Sequence, residues 1–85
     1  MDTCKKLLDA LTAAGLSPRA NGDTPCLVTT TRRGVVYRVV CAFARVQPYT
    51  LDSGLQAHGW RLVGVTADAE KRFITVAVCE VKQKS

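Results

Sequence analysis

The chain has 85 residues, 47% hydrophobic and 22% charged, and its 12 Lys and Arg against 7 Asp and Glu give a net charge of +5. This composition excludes disorder as the main state, and the length holds one modest core without room for a separate deep catalytic cleft. The positive balance is either solvated charge or a field that attracts nucleic acid, acidic proteins or anionic membranes.

Cys4, Leu7, Leu8, Leu11 and Ala14 recur at helical spacing, Asp2 or Thr3 offers a cap, and Gly15 followed by Pro18 ends this first helix. Lys5 and Lys6 ahead of the apolar run imitate a signal peptide, but Asp9 interrupts the run and its period is helical. Neither an export signal nor a membrane span is therefore expected. Leu16 to Ala20 is a candidate short strand, weakened by Pro18, that enters a turn at Asn21-Gly22-Asp23. Cys26 to Thr31 and Val35 to Phe43 are rich in Val, Thr and aromatics, and Arg32-Arg33-Gly34 between them predicts a hairpin.

After the Pro48 loop, Thr50 is placed to cap a second helix carrying Leu51, Leu55 and His58 on one face. Gly54 weakens that helix by roughly 1 kcal/mol relative to alanine, so packing must hold it. Gly59 is the residue to close it in a left-handed conformation, throwing Trp60 back onto the helix. Trp60 to Thr66 and Arg72 to Val81 then form a last hairpin around Ala67 to Lys71. With Thr66 facing Arg72, Trp60, Leu62, Ile74, Val76 and Val78 share one side, while Val63, Val65, Phe73, Ala77, Cys79 and Val81 share the other. Both sides are apolar, so the second needs a cover, either the first helix or another subunit.

The expected fold class is α+β, a small single-layer antiparallel sheet with two helices in the order α-β-β-(β)-α-β-β. It forms one domain over residues 1–85, with the N-terminal helix and the start of a hairpin in 1–34 and a β-α-β-β unit in 35–82. Tyr37-Arg38-Val39-Val40, Leu51, Leu55, Gly59-Trp60, Leu62-Val63 and the final apolar strand carry a resemblance. Over 35–82 the chain resembles a family of short bacterial domains of unknown function, with a Tyr-x-Val-Val strand, a Leu-rich helix and a Gly-Trp-x-Leu-Val turn into a closing hairpin. The resemblance implies the β-α-β-β unit and no known active site; the first 34 residues depart from that pattern.

The four cysteines, at 4, 26, 41 and 79, include no Cys-x-x-Cys pair, and there is no second histidine to complete a zinc site. No metal or cofactor is expected. Three of them lie in strand-like runs, where free cysteine acts as a small hydrophobe, which suits a reducing cytosol and a cytoplasmic protein. Glu80-Val81-Lys82 imitates the Glu-x-Lys of metal-dependent nucleases, yet Asp68 and Glu70 sit at a hairpin tip roughly 30 Å away at about 3.3 Å per strand residue. A His58–Glu80 contact would orient an acid-base histidine, whereas a histidine in the last helical turn more simply serves the helix dipole. No catalytic residue is therefore assigned.

Arg32, Arg33 and Arg38, with Tyr37 between them, and Lys71 with Arg72 are the nucleic-acid-binding candidates, since a basic turn reaches phosphates while an exposed aromatic stacks on a base. Val63, Val65, Phe73, Ala77 and Val81 are the interface candidates, through which a homodimer would cover the apolar side. The expected function is a small non-enzymatic protein-interaction module, such as a modulator or inhibitor of a host protein encoded by a phage or mobile element. The alternative is a nucleic-acid-binding domain using its basic turns.

Overall fold

The computed structural model describes residues 3–19 and 26–81. Its elements are α1 (Thr3–Ala13), β1 (Leu27–Thr31), β2 (Gly34–Ala42), α2 (Pro48–Gln56), β3 (Trp60–Ala67) and β4 (Phe73–Glu80). The strands form one antiparallel sheet in the order β1-β2-β4-β3, the α+β class expected from the sequence. Asp2, the Asn21-Gly22-Asp23 turn and Lys82 lie outside the described residues.

Helix α1 ends as its sequence dictates. Gly15 takes φ +96°, Leu16 N–H donates to the Leu11 carbonyl at 3.0 Å and Gly15 N–H to that of Thr12 at 3.0 Å. This double closure satisfies otherwise orphaned carbonyls and folds the buried Leu16 back beside Leu11. Helix α2 starts three residues earlier than the Thr50 cap would place it. Its N-cap is Gln47, without a side-chain cap bond, because Pro48 has the helical φ built in and lacks an N–H that would need a partner. At its far end Gly59 takes φ +84° and receives the Val81 N–H at 2.9 Å, tying the helix exit to the end of β4.

The sheet is two hairpins joined by β2 and β4, which pair from Tyr37↔Val78 to Ala42↔Phe73. Of the candidate strand at Leu16 to Ala20, Ala20 lies outside the described residues and the rest form a single bridge, Pro18↔Cys41, flanked by bonds from Arg19 N–H to the Val40 carbonyl and from Ala42 N–H to that of Ser17. It lies beside β2 in line with β1, where a proline's missing donor is tolerated.

The register of the last hairpin corrects the expected one. Thr66 faces Thr75 rather than Arg72, and a β-bulge at Leu62/Gly64 sets two residues against one. The extra residue reverses the side-chain alternation beyond it. Trp60, Leu62, Ile74, Val76 and Val78 do share the core side, but Val65 joins them instead of facing away.

One core results. Leu7 and Leu11 of α1, Leu51 and Leu55 of α2, Val39, Cys41, Trp60, Ile74, Val76 and Val78 form a single buried cluster. Both helices therefore cover the same side of the sheet, and α1 does not shield the other. Trp60, with Tyr37 edge-on at 5.4 Å between ring centroids, anchors the junction of α2 and β3. Its burial predicts that Trp60→Ala costs about 3–5 kcal/mol in chemical denaturation, as for other large buried aromatics.

Cys4 and Cys26 are joined by a disulfide that ties the start of α1 to the start of β1 across 22 residues. This overturns the reading of Cys26 as one of three free cysteines in strand-like runs and removes the cysteine argument for a reducing compartment; Cys41 and Cys79 remain free thiols. Thiol titration of the oxidised protein in denaturant should detect Cys41 and Cys79 only. Reducing the bridge should lower stability by about 3 kcal/mol, the entropy scale for a loop of this size.

Candidate nucleic-acid interface

Strand alternation determines what is displayed on the face that no described helix covers. Leu27 and Thr29 of β1, Val36, Arg38 and Val40 of β2, Phe73, Thr75, Ala77 and Cys79 of β4, and Arg61 and Thr66 of β3 occupy it by register. The only acid in any described strand is Glu80, which falls on the core-side alternation, where its carboxylate lies 3.5 Å from the Tyr37 hydroxyl. Every charge at a strand position on the open face is therefore positive.

Arg38 stands at the centre of β2, and its guanidinium donates to Thr29 Oγ1 at 3.0 Å, which fixes it across the β1–β2 boundary. At one end of the face lies Phe73. The Arg19 guanidinium sits over its ring at 4.8 Å and that of Arg72 at 5.8 Å, both within reach of a cation–π attraction. Arg19 reaches this place because the Pro18 bridge holds residues 17–19 against β2.

The turn between β3 and β4 is built by Asp68. Its carboxylate accepts the N–H groups of Arg72 at 2.7 Å and Phe73 at 3.1 Å. These bonds, that from Phe73 first, hold its pKa below the usual carboxylate value. Arg72 also pairs with Glu70 at 3.2 Å, so much of its charge is spent within the turn.

The basic candidates from the sequence thus divide. Arg38 is on the open face; Arg32 and Arg33 form the β1–β2 turn, while Lys71 and Arg72 lie at the β3–β4 turn. The antiparallel pairing puts these turns at opposite ends of the sheet, roughly 30 Å apart for nine strand residues. Tyr37 is not the exposed aromatic: it packs on Trp60 from the other side of the sheet, where partial burial and then Glu80 raise its pKa. Arg19 and Arg61 were missed. Nothing in the local sequence around Arg19 reveals that its guanidinium meets a ring 54 positions later, since only the bridge to β2 brings them together.

Among the interface candidates, Phe73 and Ala77 lie on the open face, Val63 is 56% exposed at the bulge, and Val81 is 42% exposed just past β4. Val65 packs on the core instead.

Among the described residues the acidic groups build no second centre. Asp52 accepts the Leu62 N–H at 2.9 Å and the Gln56 amide at 2.9 Å, and Asp68 is committed to its turn. His58 and Glu80 line one cleft with Lys6 and Asp9, but no hydrogen bond or ion pair joins His58 to Glu80 among the described residues. No described group of three His, Cys, Asp or Glu is placed to hold a metal, and no described helix is long and apolar enough to cross a membrane. Comparison with protein-family models, curated proteins and solved structures finds no match to the chain.

The two free thiols report the two sides of the sheet. Burial pushes Cys41 from the ordinary 9.0 to about 11, whereas Cys79 is only half-buried beside Arg61. Alkylation at neutral pH should modify Cys79 and spare Cys41. Raising pH through the window from 9.0 to about 11 should destabilise the fold, because the unfolded chain loses the Cys41 proton first. Comparison with Cys41→Ala in denaturant titrations isolates that part of the slope.

Proposed function

We propose that this chain is a non-enzymatic binding module whose open sheet face takes single-stranded nucleic acid. The observation that carries the reading is the charge of that face, with Arg38 at its centre, Arg61 on β3 and Arg19 over Phe73, and no described acid at its strand positions. Guanidinium groups bind phosphates through several donors and also offer flat surfaces on which bases stack. Thr29, Thr66 and Thr75 add hydroxyls, and the small side chain of Ala77 lets a flat ligand approach the sheet.

The exposed apolar surface of Val40, at 43%, favours a second reading, an acidic protein whose docking patch has an apolar centre. A modulator or inhibitor of a host protein would use the same residues. The cytoplasmic placement expected from the sequence rests on the nucleic-acid reading alone, since a Cys4–Cys26 disulfide suits an oxidising compartment.

Fluorescence anisotropy with a labelled single-stranded oligonucleotide tests the reading. The parent should bind at low salt, with log K falling against log salt at about −0.7 per phosphate contacted. Arg38→Ala and Arg19→Ala should each weaken binding and flatten that slope by about 0.7. Bound oligonucleotide should slow alkylation of Cys79. No binding at low salt, or undiminished binding by Arg38→Ala, would remove nucleic acid as the ligand of this face.

A further inference from the structure

The sheet ends in two very different edges. On β3 the edge is blunted: the bulge at Leu62/Gly64 interrupts it, Arg61 places a charge beside it, and the Asp52 carboxylate occupies the Leu62 N–H at 2.9 Å. These are the devices that keep sheet edges from joining other strands. On β1 none is present. Leu27-Val28-Thr29-Thr30-Thr31 contains no charge and no proline, pairs with β2 without a register break, and has no strand on its outer side among the described residues. Leu27 is 59% exposed and Val28 49%, on opposite sides of the sheet, with Val35 of β2 37% exposed close by.

We infer that β1 is a self-association edge, at which a second copy of this chain adds its own β1 in antiparallel orientation to make a continuous eight-stranded sheet. Charge selects this occupant and this orientation. A copy carrying +5 must approach another where charge is sparsest, and β1 is the only described strand without a charged residue of its own, the nearest guanidinium, that of Arg38, being held on Thr29 Oγ1 on the open face. Two-fold pairing makes identical edges complementary, setting threonines and valines opposite β-branched partners. A parallel pairing would bring the Arg32-Arg33 turns of both copies together. Antiparallel pairing centred near Thr29 sends them to opposite ends, about 20 Å apart at roughly 3.4 Å per residue and so beyond the ~8 Å screening length at physiological salt.

The inference stands apart from the ligand of the open face, although the joined sheet would present two such faces side by side. Sedimentation equilibrium over a range of protein concentrations tests it. The parent should approach twice the 9.2 kDa chain mass, and Val28→Lys and Thr30→Lys, both at exposed positions, should return it to the single-chain mass. Val40→Lys, on the open face, should leave the doubled mass unchanged. Hydrogen exchange on the parent gives a readout free of substitutions: β1 amides should become protected as concentration rises, and those of β3 should not. A parent that stays at the single-chain mass at high concentration overturns the inference. So does a dimer that survives both lysines in β1, or one that Val40→Lys dissolves, which would place the contact face to face.

Discussion

Pairing of β2 with β4 joins two hairpins that α2 separates in the chain, and the rest of the molecule is arranged around it. Val39 lies opposite Val76 and Cys41 opposite Ile74, so the innermost pairs are small or branched apolar side chains with essentially no solvent exposure. Such pairs stabilise a sheet through contact across the strands, and here they also form the floor on which both helices rest. Leu7 and Leu11 arrive from α1, Leu51 and Leu55 from α2, and all meet the same side. Two short helices in so small a chain cannot also cover the reverse side. The one-sided core is thus a direct result of length.

A sheet with one uncovered side needs that side to tolerate water. The chain meets this by spacing arginines and threonines among its apolar residues, of which Leu27 and Val40 are the most exposed. Guanidinium groups are suited to the task, because their flat faces lie on apolar or aromatic neighbours while their edges remain hydrated. Arg19 over Phe73 is such a case. The guanidinium groups that hydrate this side of the sheet are the same groups a polyanion would need, so solvation and binding leave the same mark on composition.

Local signals were legible where a single residue imposes a backbone conformation. Gly15 and Gly59 end their helices with positive φ, and Trp60 is buried directly after the second stop. The two hairpins and the order of elements followed from the same kind of signal. The Thr50 cap failed because Pro48 can begin a helix without a side-chain cap. The bulge had a signal that went unused: Gly64 interrupts an otherwise branched strand, a pattern that marks a change of register. Counting parity through it put Val65 on the wrong side. The Cys4–Cys26 link had no local signal, since sequence spacing does not specify which cysteines pair.

The bulge and the disulfide act on opposite edges and give the sheet its asymmetry. At β3, reversing alternation after Leu62 turns Val65 toward the core and leaves Thr66 outward, so the strand contributes to both sides at the cost of a broken edge. Asp52 then fills part of that break with its carboxylate. At β1 the disulfide fixes the strand's entry to α1, and all five residues pair with β2 without a register break. An unbroken, uncharged edge retains outward backbone donors and acceptors that only water or another strand can satisfy. Water suffices for a short strand in isolation, but the exposed Leu27 and Val28 gain nothing from water. Their burial favours a strand over solvent, and the positive charge elsewhere limits which surfaces of a second copy can supply one.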